Sequence, residues 1–175
     1  MRPHGGVMAR GRLRRECRAR LAGFTVPVPF SLEALCAQLA RDRGRPLHLH
    51  PLALPAGPDV PCGMWVATGR ADHVFHAQGA SALHQRNIVL HEIGHMICDH
   101  EIDNGGAALA AVLTDLDPAM VQRVLMRTRY SAPEEEEAEM IAALILEQAG
   151  WASAGPRPDG LLGLLDDVFG VPRSG

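Results

Sequence analysis

Between Ser81 and Gly150 the apolar residues return every three or four positions, the spacing of one face of a helix. Val89, Leu90, Ile93, Met96 and Ile97 predict a helix over about 82–99. Ala138, Ile141, Ala142, Ile145 and Ala149 predict another over about 133–149, stopped at Gly150. Two shorter helices are expected between them, at about 106–114 and, after Asp117-Pro118, at about 118–128. Nearer the start, Ser31 suits the N-cap of a helix over about 32–42, with Leu32, Leu35, Cys36 and Leu39 on one face and Gly44 at its end. The period then falls to two, as Leu47 and Leu49 alternate with His48 and His50 in the manner of a half-buried strand. Gly63–Thr68 and Asp72–His76 carry the strand formers Trp65, Val66, Val74 and Phe75 and flank Gly69-Arg70-Ala71, which predicts a hairpin. Helix, small sheet and then helices predict an α+β fold, and no internal repeat is present.

The two ends read differently. Residues 1–11 hold three glycines and a proline and are expected to be an irregular lead-in to a basic helix from Arg12 to Leu21, ended by Gly23. Residues 151–175 are rich in Gly and Pro, with one short apolar piece, Leu161–Phe169, expected to dock as a helix. The expected organisation is a basic segment over 1–22, one domain over 23–150 and a tail over 151–175.

Composition narrows the function classes. With 175 residues, 47% hydrophobic and 21% charged, the chain has material for one core and is not a disordered polymer. A net charge of -3 argues against a surface coated overall for nucleic acid. Residues 1–20 nonetheless carry seven arginines against Glu16, a balance of +6 that leaves -9 for the remainder. That run is short and shows no helix-turn-helix pattern, so it reads as a solvated basic segment and direct nucleic-acid binding is not expected. Cys17, Cys36, Cys62 and Cys98 are scattered without a CxxC pair, which fits reduced thiols rather than a disulfide framework or a zinc cluster. No apolar run approaches the ~20 residues of a membrane span and no signal-peptide core follows the basic start, so a cytoplasmic protein is expected.

The candidate chemistry sits in the helix over 82–99. His91-Glu92-Ile93-Gly94-His95 is HExxH. Residues i and i+4 share a helix face, so His91 and His95 can offer imidazoles to one ion. Glu92 is rotated from that pair by about a quarter turn, too far to ligate and near enough to serve as general base toward water. The apolar residues of this helix gather opposite the two histidines, which leaves the pair facing a cleft. His84 lies on the same stripe but about 10 Å away along the axis, and reads equally as a cleft-lining or a surface residue. His100 falls on the face opposite the pair and is one residue short of the third histidine of HExxHxxGxxH, so the metzincin pattern fails. The strand histidines His48, His50, His73 and His76 read as edge or surface residues rather than ligands.

A third ligand is therefore expected from another helix, as in His₂Glu sites. The candidate stretch is Ser131-Ala132-Pro133-Glu134-Glu135-Glu136-Glu137-Ala138-Glu139. Ser131 and Glu134 form a capping-box pair, which accounts for some of these acids. Extended upstream, however, the apolar stripe of this helix meets Glu134 and Glu135, while Glu136 points outward with Glu147. A carboxylate above an apolar face needs a cation. Glu139, one turn after Glu135, is placed to accept the second N–H of a ligand histidine.

HExxH at residues 91–95, followed about forty residues later by Glu135-x-x-Ala138-Glu139-x-Ile141-Ala142-Ala143-x-Ile145-Leu146, resembles the ImmA/IrrE family of zinc metallopeptidases, in which HExxH is followed by ExxA(N/D)xFAxxLL. The resemblance spans about residues 30–150 and is strongest at the two motifs. It implies a small zincin-like, gluzincin-type domain holding one Zn²⁺ per chain, with His91, His95 and Glu135 as ligands and Glu92 as the base. It also implies an endopeptidase whose substrate is a helix-turn-helix repressor encoded nearby, in stress response or mobile-element control. Some relatives are labelled toxin components of toxin–antitoxin pairs. The chain departs from the family pattern at Glu139, where Asn or Asp is usual, at Ile141, where Phe is usual, and in lacking Met-Pro after the final leucines. An oxyanion donor is not obvious; Tyr130, the single tyrosine, is the candidate. The competing class is a non-proteolytic zinc-containing regulatory module, and Glu92 discriminates between the two, because a purely structural site has no need of a base.

Overall fold

Helix boundaries fall where side-chain caps and left-handed residues put them. The computed structural model describes residues 4–53, 62–100 and 130–150. Its elements, in order, are α1 (His4–Leu21), α2 (Leu32–Arg43), β1 (Leu47–Leu52), β2 (Gly63–Ala67), β3 (Asp72–Ala77), α3 (Ala82–Cys98) and α4 (Ala132–Gln148), an α+β arrangement. Ser31 Oγ accepts the Ala34 N–H at 3.1 Å to start α2, and Gly44, with φ of 66°, ends it. Ser81 does the same for α3, accepting the His84 N–H at 3.3 Å. At the start of α4 the Ser131 N–H donates to the Glu134 carboxylate at 2.7 Å, which completes the expected capping box. The helices expected over about 106–114 and 118–128, and the piece Leu161–Phe169, lie outside the described residues.

α1 begins at His4, so residues 4–11 continue the helix and are not the irregular lead-in expected from their glycines. The Ala, Arg and Leu residues between Met8 and Leu21 are strong helix formers and carry the helix through Gly11. Nor is this stretch merely a solvated segment. Cys17 and Leu21 join the core that α2, α3 and α4 form, Arg14 and Arg18 pair with Glu147, and Arg20 lies 3.6 Å from Glu137.

The sheet has the order β1-β3-β2, with β1 parallel and β2 antiparallel to β3. The expected β2–β3 hairpin closes with the Thr68 N–H donating to the Ala71 carbonyl at 2.8 Å. One face of the sheet, through Leu47, Leu49, Trp65 and Val74, enters the core with Leu35, Leu39, Val89 and Ile93. Among the described residues no helix is long and apolar enough to cross a membrane.

A buried carboxylate ties the sheet to α2. Asp72 is 1% exposed and accepts from Arg43 Nε at 2.8 Å, Arg45 Nε at 2.7 Å and Trp65 Nε1 at 2.9 Å. Removing that charge leaves two guanidinium groups without their shared counter-ion, one of them over the Trp65 ring, and breaking a buried pair by deleting one partner is strongly destabilising. Asp72→Asn should lower unfolding stability by about 3 kcal/mol in chemical denaturation, the low end of the usual range because both arginines are partly solvated. A change under about 0.5 kcal/mol would show the cluster to be ornamental.

Candidate metal centre

α3 presents His91 and His95 one turn apart on one face, and α4 crosses that face closely. The crossing is tight because Gly94 has no side chain. A Cβ placed there would lie 2.5 Å from the Ala138 carbonyl oxygen and 2.8 Å from its Cα. Glu135, one turn before Ala138, is thereby carried to the histidines. His91 Nε2 lies 3.0 Å from Glu135 Oε2 and 3.1 Å from His95 Nε2, and His95 Nε2 lies 3.7 Å from the same carboxylate oxygen. Donor atoms bound to zinc at about 2.0–2.1 Å in a tetrahedron stand about 3.3 Å apart, so this triangle has the dimensions of such a site. Two nitrogens and a carboxylate oxygen are also the donor set zinc takes.

The acidic run on α4 divides by direction. Glu134 is spent on the cap, Glu135 reaches the histidines, Glu136 is exposed, and Glu137 turns to the other side of His95. Of the two carboxylates that the helical wheel left open, Glu135 is the one beside the histidines. Glu139 is half-buried on the next turn, and its charge acts on His91.

Electrostatics follow from burial and crowding. Burial works to raise the Glu135 carboxyl, but hydrogen bonds from His91 and His95 outweigh it and hold it down to about 2. Burial lowers His91, yet Glu135, Glu92 and Glu139 together lift it above its ordinary value. His95, 0% exposed, is lowered, first by burial. Glu92 is 4% exposed, and burial pushes it up to about 7, the range of a general base at neutral pH. It takes a hydrogen bond from the Trp65 backbone, while its Oε2 has no partner among the described residues. Gly63 makes room for Glu92: a Cβ there would come within 2.7 Å of Glu92 Oε1.

Tyr130 stacks on His95, with ring centroids 3.5 Å apart and planes 12° apart. Its hydroxyl is buried without a partner among the described residues, and burial, then the charges of Glu92 and Glu135, raise its pKa strongly. His84 sits in the first turn of α3, half-buried, and adds no atom to the donor group. On the sheet, His48 is exposed as expected and His50 Nε2 meets His73 Nδ1 at 3.0 Å, both rings lowered in pKa first by burial, but His76 is buried on the central strand β3 and is not the edge or surface residue expected. The thiols are not poised for nucleophilic work: burial pushes Cys17 and Cys36 up to about 11 and Cys98 to about 12.

His100 does not lie opposite the ligand pair as a continued helix would place it. α3 stops at Cys98, and Asp99, at φ of 56°, turns the chain back on itself. The His100 ring then meets His95, Nδ1 to Nδ1, at 2.8 Å. Gly63, Gly94 and Glu137 shape the site without having been singled out from sequence, and His100 reaches it although the helical pattern put it on the opposite face. Only Gly94 carried a usable signal, as an isolated glycine inside a helical pattern.

No family model matches the chain, and it matches neither a curated protein nor a solved structure.

Proposed function

We propose that the protein is a zinc-dependent endopeptidase with a small zincin-like fold, of the ImmA/IrrE kind that its two motifs resemble. The observation that carries this reading is the convergence of His91, His95 and Glu135 beside a buried Glu92 whose outer oxygen has no described partner. Zinc held by those three residues would polarise a carbonyl and acidify water. Glu92, near neutrality in pKa and held by Trp65, takes a proton from the attacking water and returns it to the leaving amine. Tyr130, stacked over His95, is the candidate donor for the oxygen that gains negative charge.

A peptide is the substrate class the surroundings favour. Among the described residues β2 pairs with β3 alone, and its Trp65 backbone hydrogen-bonds Glu92, so a strand edge borders the site. Extended chains bind at such edges through backbone hydrogen bonds. Within the proposal, the partner is a helix-turn-helix repressor encoded nearby. The test is to incubate the protein with that repressor, with and without a chelator. Cleavage that the chelator stops and added zinc restores is expected. A purified protein that folds normally yet takes up no zinc would end this reading.

A further inference from the structure

The structure assigns His100 and Glu137 as a positioning relay that orients the ligand His95, an inference that rests on the metal reading above. His95 Nε2 faces His91 and Glu135, so ligand duty at that atom leaves the proton of a neutral ring on Nδ1. That N–H donates to His100 Nδ1 at 2.8 Å. His100 must then accept on Nδ1 and carry its own proton on Nε2, which donates to Glu137 Oε2 at 3.1 Å. One tautomer assignment satisfies every link, with a donor and an acceptor at each. Glu137 ends the chain as a carboxylate, 3.6 Å from Arg20 Nη2, while Arg20 Nη1 donates to the Cys98 carbonyl at 3.1 Å at the end of α3. The relay is enclosed: His95 is 0% and His100 7% exposed. A metal-bound histidine commonly hands its second N–H to a carboxylate directly, which fixes ring orientation and raises basicity. Here an imidazole is interposed, and α1 supplies the terminal cation.

Cys98, His100 and Glu137 also lie close enough together to hold a second ion. The relay is favoured because the Arg20 guanidinium already serves Glu137. A second divalent ion there would face a fixed positive charge.

The experiment measures zinc stoichiometry, zinc Kd by chelator competition and the visible spectrum of the cobalt-substituted protein, for wild type, His100→Leu, His100→Gln and Glu137→Gln. Wild type should bind one zinc. His100→Leu should raise Kd about 10–100-fold and shift the cobalt bands, because the ring of a ligand is no longer held. His100→Gln, which keeps an acceptor and a donor, should recover much of that loss, and Glu137→Gln should fall between. The milder Glu137→Gln and His100→Gln serve if His100→Leu does not fold. Unchanged Kd and cobalt spectrum in folded variants would overturn the relay and leave the metal reading intact. Two zinc ions in wild type, with one lost in His100→Leu, would replace the relay by a second metal site. Wild type without zinc would overturn the relay together with the reading beneath it.

Discussion

Glu92→Gln should retain zinc at the wild-type level while cleavage of the partner repressor falls by ~10²-fold or more, the scale of a lost general base. The substitution keeps size and shape in a site where Glu92 is packed against Gly63 and held by Trp65. Its effect on folding carries a sign that can be checked separately. Burial raises the carboxyl to about 7, so in the metal-free protein ionisation works against the fold as pH rises from the ordinary carboxylate pKa of 4.5 through that value. Glutamine does not ionise. Thermal melts of the metal-free proteins should therefore favour the variant over wild type more at pH 8 than at pH 5. The assay needs the genuine partner, because the family resemblance implies a narrow substrate range. Induction of the target genes by Glu92→Gln as well as by wild type would assign the protein to the non-proteolytic class.

Gly94→Ala should lose tight zinc binding although it touches no ligand. The new Cβ meets the Ala138 carbonyl oxygen and Cα, which are backbone and cannot swing aside. α3 and α4 must move apart, at a cost of about 1–3 kcal/mol for overpacking, and Glu135 moves with α4 away from His91. Zinc titration and denaturant unfolding should both register the change. Ala138→Gly should not rescue it, since the obstructing atoms remain. Wild-type zinc affinity in Gly94→Ala would mean that the closeness of the crossing is incidental to the site.

What could be read along the chain was local. The caps at Ser31 and Ser131, the stop at Gly44 and the β2–β3 hairpin all depend on residues within a few positions of one another. The pairing of His91 with His95 was legible for the same reason, through the helical repeat. The parallel pairing of β1 with β3 joins Leu47 to Asp72 and carries no such local signal. Glu135 was separated from Glu134 only when the cap consumed Glu134. His100 was misplaced because helical periodicity was carried past Cys98, whereas a single left-handed residue, Asp99, redirects the chain. Cys17 and Leu21 were obscured by the arginines around them, though their spacing of four marks one helix face.

Glu135 stands 44 residues beyond His91, on the last of the described helices. On the proposed reading this separation sets an order of assembly. Until α4 has been made and docked, the growing chain offers the two histidines without Glu135, and two donors rarely hold zinc tightly. The proposed hydrolytic competence would then arrive late in synthesis. The ion favours the folded over the unfolded chain, so zinc at 100 times its Kd adds about 2.7 kcal/mol of stability. Zinc shortage would then both silence the proposed activity and expose the chain to degradation, tying abundance as well as activity to metal supply.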